Sequence, residues 1–404
     1  MSRLRATMGA YAAVDVEPVA SGHALHLIVL VHGIDGNCDD LRSVREAVVS
    51  GAFQAGEEVE CWSSKVNHGG RTHGGIKECA RRLWCDLQAK LESSHAIQRI
   101  SMIGHSMGGL LCRAVAASLY ATKHLSSRIA FDTLICIASP HLGCRLLGRG
   151  GRGGVAPLMV NFGPTLMRAG LRLIKGRTGP DLLLDNDVLA MLADDDHCAS
   201  LRAFQRRVVY CNGSMDWLVT VESASLLAAE ELNVVLPLSK AGDTSDGASI
   251  LWRPHKDEAT DLKTSGAWPP SLELGRSSSG ATVLELWPLP VDWQPNATAA
   301  SHTSWDDVNG GRGRSAAAML QRIRTVGKWE LHLCHFGKAH SSFAGAVFSP
   351  HIDLVDHPKC TRHYGREVVR HLSLELFKKN AEGYALNVNE ARHPMIEPTD
   401  GTRI

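Results

Sequence analysis

Short apolar runs alternate with amphipathic stretches over the first two-thirds of the chain. The run Leu25–Val31 (LHLIVLV) is rich in branched residues and stops at His32-Gly33. It reads as a parallel strand buried on both faces, because such a strand has no polar side to show as alternation. Residues 59–66, 97–103, 131–137 (closed by Ser139-Pro140), 207–211 and 328–334 are further strand candidates. Between them lie helical periods. Ile76, Ala80, Leu83, Leu87 and Leu91 recur every three or four positions with Lys77, Glu78, Arg81 and Arg82 interleaved, which predicts an amphipathic helix of about five turns. Helices are also expected over 39–49, 107–120 and 364–379, the last turning Val368, Val369, Leu372 and Leu376 to the core. A further one is expected over 222–232, after a turn at Val219. Strands separated by helices predict an α/β architecture, a mostly parallel sheet flanked by helices.

Two stretches interrupt this order. Residues 148–154 (GRGGRGG) resemble an RNA-binding tract, but a single short copy reads as an ordinary loop. Residues 239–314 are rich in Ser, Gly, Pro, Asp and Trp with no sustained period, and read as a long, irregular, partly disordered insertion before the last strand. The expected organisation is an N-terminal extension (1–24), a core (25–238), this insertion (239–314), the C-terminal part of the core (315–385) and a tail (386–404).

Composition narrows the class. The 404 residues are 44% hydrophobic and 21% charged with a net charge of +1, ordinary for a globular protein and against a nucleic-acid partner. Eleven cysteines are dispersed with no CxxC pair, which suits reduced thiols in the cytoplasm and argues against a zinc ribbon. The N-terminal residues contain no continuous apolar segment, and no run approaches the ~20 residues a spanning helix needs, so neither a secretory leader nor a transmembrane helix is expected.

The most informative segment is Gly104-His105-Ser106-Met107-Gly108-Gly109, between a predicted strand and a predicted helix. A sharp strand-to-helix turn exposes a serine hydroxyl, and glycines fit where backbones crowd. The amide of Met107 at the helix start is then placed to face a developing oxyanion, and the loop His32-Gly33-Ile34 offers the amide of Ile34 as a second donor. A serine needs a histidine base, usually oriented by a carboxylate. Asp216, after the strand at 207–211, is the leading acid, whereas Asp194, Asp195 and Asp196 read as a solvated loop. Chain order leaves His335, His340, His351, His357 and His363 as bases. His351 is preferred, with His357 and His340 as alternatives, and His105 and His141 are expected to wall the pocket.

Together these residues resemble the serine esterase family of lipase-like α/β-hydrolases. The resemblance rests on Val31-His32-Gly33-Ile34 with Gly36-Asn37, on Gly104-His105-Ser106-Met107-Gly108-Gly109-Leu110, and on Ala138-Ser139-Pro140-His141-Leu142-Gly143. Weaker matches are Asn67 with Thr72 and Gly75-Ile76, Gly176-Arg177-Thr178-Gly179 with Leu182-Leu183, and Arg206-Arg207-Val208-Val209-Tyr210 leading to Asp216. The ordered set covers roughly residues 25–225, and the histidine loop departs from the usual form. The resemblance implies the α/β-hydrolase fold and hydrolysis of a carboxylic ester of an acyl lipid through an acyl-enzyme, with no metal or cofactor. It also implies contact with membranes or lipid droplets, for which residues 164–174 offer an amphipathic lid. An acyltransferase, thioesterase or amidase using the same residues, and a non-catalytic adaptor of this fold, are the competing expectations. Sequence gives no oligomeric state.

Overall fold

A computed structural model describes residues 25–144, 170, 175–213, 216, 218–239, 250–251, 261, 263–277, 281–293, 316–336, 351–360 and 365–378. Among the described residues, nine strands form one sheet. They are β1 (Leu25–Val31), β2 (Val59–Ser63), β3 (Ile97–His105), β4 (Ala130–Ile137), β5 (Arg206–Asn212), β6 (Ile250–Leu251), β7 (Leu272–Arg276), β8 (Thr282–Leu286) and β9 (Trp329–His335). The order is β2-β1-β3-β4-β5-β9-β8-β7, with β6 pairing β9 off this path. Every pair from β2 to β9 is parallel, and β6, β7 and β8 add antiparallel pairs at the far side.

The helices that pack on this sheet are α1 (Arg42–Ala55), α2 (Ile76–Ser93), α3 (Met107–Ala121), α4 (Asp195–Ala203), α5 (Ala229–Ser239), α6 (Ala316–Arg324) and α7 (Arg366–Leu376). The apolar run Leu27–Val31 of β1 serves two cores. Leu27, Val29 and Val31 face one with Leu83, Leu87 and Leu111 of α2 and α3. Ile28 and Leu30 face the other with Val44, Val48, Val368 and Leu372 of α1 and α7. Successive strand side chains point to opposite faces, so a strand between two helical layers must be apolar throughout.

Most predicted elements stand within a few residues of their observed bounds. Four readings change. The helix expected over 222–232 is two, Val221–Ala224 and α5, separated at Leu226, whose φ of 59° interrupts the helix. Asp194, Asp195 and Asp196 do not form a solvated loop: Asp194 caps α4, its Oδ1 accepting from the His197 amide at 2.9 Å, and the other two occupy the first turn, where negative charge suits the helix dipole. Helix α6 has no counterpart in the sequence reading. The stretch 239–314 contributes the hairpin β7–β8, which extends the sheet. A buried ion pair fastens that hairpin. Arg324 of α6 donates from Nη1 and Nη2 to the two carboxylate oxygens of Glu231 (3.0 and 3.1 Å) and from Nη2 to the Ser271 carbonyl (3.2 Å). The tract 148–154 lies outside the described residues, as does 164–174 apart from Gly170.

Candidate active site

The carboxyl ends of the parallel strands place the site. Strand β3 ends at His105, and Ser106 turns the chain into α3 with φ 56° and ψ −129°. A left-handed φ is costly for a non-glycine residue. The surroundings enforce it: the Ser106 amide donates to the Ile137 carbonyl (2.8 Å) and the Ser106 carbonyl accepts from the Gly109 amide (3.1 Å). The turn also needs its glycines. A Cβ on Gly108 would land on the Val31 carbonyl oxygen, so α3 could not approach β1. A Cβ on Gly33 would lie 2.9 Å from Ser106 Cβ, which shows how closely the loop after β1 approaches the serine. Met107 is the first residue of α3, and Ile34 is half-buried in the neighbouring loop.

Asp216 follows β5 and is buried. Its Oδ1 accepts from the amides of Leu218 (3.1 Å) and Val219 (2.9 Å), and its Oδ2 from Asn212 Nδ2 (3.2 Å). The same Oδ2 lies 2.9 Å from His351 Nδ1. A carboxylate has no proton to give, so Nδ1 of a neutral His351 carries the hydrogen and Nε2 holds the lone pair, the tautomer a general base requires. The ring is fixed from behind by His105. Its Nε2 donates to the His351 carbonyl at 3.0 Å, and the two ring centroids are 4.8 Å apart. Burial first, and then the neighbouring His351, push His105 down to about 3, so it stays neutral and keeps that donor.

His357 is held elsewhere. Its Nδ1 accepts from the Lys359 amide (3.1 Å) and its Nε2 lies 3.2 Å from Asp40 Oδ1. With both nitrogens engaged, it ties the segment after His351 to the loop before α1, and Ser43 adds a hydrogen bond to the Asp356 carbonyl (2.9 Å). Burial alone would raise Asp40, but the hydrogen bonds from His357 and the Asn37 amide, together with the charges of His357 and His32, outweigh it and keep the carboxyl below its usual range. His340 lies outside the described residues. His141, expected as a pocket wall, is instead packed inside: its Nδ1 accepts from Arg113 Nη1 (3.2 Å) and its ring meets Trp329 edge-on at 6.2 Å.

The loop carrying Ile34 is braced by residues the sequence reading left without a role. Asp35, at φ 57°, donates its amide to Thr72 Oγ1 (2.9 Å), and its carboxylate pairs with His73 (2.5 Å) and Lys175. Thr178 Oγ1 donates to the Thr72 carbonyl (2.6 Å) and accepts from the Gly75 amide (3.0 Å). Asp181 Oδ2 accepts from the Ile76 amide (2.7 Å). The segments around Thr72, Gly75 and Thr178 therefore meet in one polar knot beside the loop. Their spacing carries no signal for this, since the partners are about a hundred residues apart.

A parallel sheet with helices on both faces, a strained serine at a strand-to-helix turn, and a buried histidine–aspartate pair from later loops define an α/β-hydrolase. The family model described as "Putative serine esterase (DUF676)" matches residues 21–227, and the chain belongs to that family. Two proteins of Saccharomyces cerevisiae are similar: "Putative lipase ROG1", 28% identical over 56% of this chain and 32% of its own length, and "Putative lipase YDL109C", 26% identical over 61% and 36%. The chain thus spans about a third of the length of these relatives. Among solved structures, phospholipase PlaB from Legionella pneumophila in complex with thio-NAD is 15% identical, covering 47% of this chain and 38% of its own, with a TM-score of 0.33. Carboxyl esterase 2 from Tuber melanosporum is 16% identical, covering 48% and 59%, with a TM-score of 0.28. The strand order itself carries the fold assignment.

Proposed function

We propose that this chain hydrolyses carboxylic esters of acyl lipids, with Ser106 as nucleophile, His351 as base and Asp216 as the orienting acid. The observation that carries this reading is the 2.9 Å contact between Asp216 Oδ2 and His351 Nδ1, with His351 held against His105, the neighbour of Ser106. His351 Nε2 takes the hydroxyl proton as Ser106 Oγ attacks the ester carbonyl. The amides of Ile34 and Met107 receive the oxyanion, an interaction worth about 3–4 kcal/mol in such sites. Protonated His351 then gives its proton to the departing alcohol, leaving an acyl-serine. A water, deprotonated by the same nitrogen, attacks that acyl group and releases the carboxylic acid and free Ser106.

The acyl preference is supported by the family and by relatives named as lipases. The reading places the protein in the cytoplasm, in contact with a membrane or droplet surface. All eleven cysteines are free, as in a reducing compartment, and among the described residues no helix is long and apolar enough to cross a membrane. The test uses a tagged fluorophosphonate and p-nitrophenyl esters of increasing chain length, with and without lipid micelles. Labelling and turnover that vanish in Ser106→Ala, with a preference for longer chains, are expected. An unlabelled parent protein in micelles would overturn the enzymatic reading. Added alcohol captured as a new ester would instead indicate acyl transfer.

A further inference from the structure

A second polar cluster lies under α7, and the proposed hydrolysis does not use it. Glu330 and His332 are two apart on β9 and so share a face of the sheet. His371 and Glu375 are four apart on α7 and so share a face of the helix. The two pairs meet. Oxygen or nitrogen atoms of Glu330, His332 and Glu375 all lie within 4.8 Å of one another, and the His371 ring centroid is 4.8 Å from that of His332.

The cluster holds nitrogens with nothing to bind. His332 is 1% exposed, and neither Nδ1 nor Nε2 has a hydrogen-bond partner. His371 Nε2 is buried and equally unpartnered, while its Nδ1 lies 2.9 Å from the Tyr210 hydroxyl. Folded proteins seldom leave buried polar atoms unsatisfied.

We propose that Glu330, His332, His371 and Glu375 form a closed structural site for one zinc-like divalent cation. Two imidazoles and two carboxylates are a donor set that suits zinc; Glu330, His332 and Glu375 already lie together, and His371, whose ring meets that of His332, would turn in as the fourth ligand. The surroundings fit an outer shell. Arg206 donates from Nε (3.1 Å) and Nη2 (2.7 Å) to the Glu330 carboxylate, and its Nη2 lies 3.4 Å from Glu375 Oε2. In the tautomer whose Nδ1–H donates to the Tyr210 oxygen, His371 Nε2 carries the lone pair that binding needs. Hydrogen bonds of this kind orient metal ligands from behind. The ion would clamp α7, the helix after the His351 segment, onto the sheet.

The test is a metal titration of the full chain, carrying no added histidines and first dialysed against chelator. Zinc or cobalt chloride is added while bound metal, Tm and the visible spectrum are followed. One ion per chain, a Tm rise of roughly 5 °C at saturating metal, and cobalt bands of a four-coordinate site are expected. His332→Phe, which retains the ring stacked on Tyr210, and Glu375→Gln should each lose the bound ion and the Tm rise. The proposal is overturned if the parent chain binds only substoichiometric metal with no Tm change. It is equally overturned if His332→Phe binds and shifts as the parent does, because the ion then sits on other histidines. Should that variant not fold, the parent chain's cobalt spectrum decides, and bands of an octahedral, water-rich site would refute the closed set.

Discussion

At the scale of single residues, the site is a chain of orientation. Asp216 accepts three hydrogen bonds from its own neighbourhood before it accepts the fourth from His351, so the carboxylate cannot turn away from the ring. Asp216→Asn would present an amide in place of an acceptor and favour the wrong tautomer of His351. A loss of roughly 10⁴-fold in kcat is expected, measured as single-turnover hydrolysis of a p-nitrophenyl ester. His105 acts through His351 and touches no substrate in this scheme. His105→Phe keeps a ring but removes the donor to the His351 carbonyl. It should lower kcat by about 10–100-fold, the scale of a misplaced base, and leave KM near its parent value. A change in KM alone would mean that His105 contacts substrate. His357→Ala should spare fluorophosphonate labelling far better than His351→Ala does. Chain order brought His351, His357 and His340 into view with His351 preferred, but it carried no physical reason for the choice, because what separates His351 from His357 is which aspartate each ring meets. That is decided by the loops after β5 and β1, three strands apart in the sheet.

At the scale of elements, legibility followed burial. The strands that lie between two helical layers carry short apolar runs, such as Leu27–Val31 of β1, and the amphipathic period of α2 is explicit, so both are readable from the sequence pattern. Strands β7 and β8 are five residues each and sit among Ser, Gly and Pro, so no window around them carries a period. What holds them is tertiary: the buried Arg324–Glu231 pair, reaching to the Ser271 and Trp287 carbonyls. Removing one partner leaves the other charged and buried. Glu231→Gln should therefore cost about 3–5 kcal/mol, read as a shift of the urea midpoint. The double variant Glu231→Gln, Arg324→Met should recover part of that loss, since no uncompensated charge remains. If the single variant unfolds at the parent's midpoint, the hairpin is held by apolar contacts alone.

Across the whole molecule, the histidines set the response to acid. His26, His32, His105, His141, His332 and His371 are buried, and in each burial is the leading cause of a lowered pKa. The unfolded chain takes protons on these rings near pH 6.5, whereas the folded chain refuses them. Between the folded and unfolded values the unfolded state binds more protons, so stability rises with pH. The stabilisation is complete above about pH 7 and is lost as pH falls below 6.5. By pH 5 each ring that stays neutral has cost about 2 kcal/mol, so His105 and His371, pushed down to about 3 and about 4, together remove about 4 kcal/mol from a stability that is typically ~5–15 kcal/mol. A marked loss of stability between pH 6.5 and pH 5 is therefore expected. Urea midpoints taken in chelator from pH 7.5 down to 5 should be flat at first and then fall steeply. His105→Phe should lower the slope by about one proton, or ~1.4 kcal/mol per pH unit. Stability that stays constant from pH 7 to 5 would mean that water reaches these rings and protonates them in the folded protein. The neutral His105 on which the orientation of His351 depends would then no longer be secured by burial.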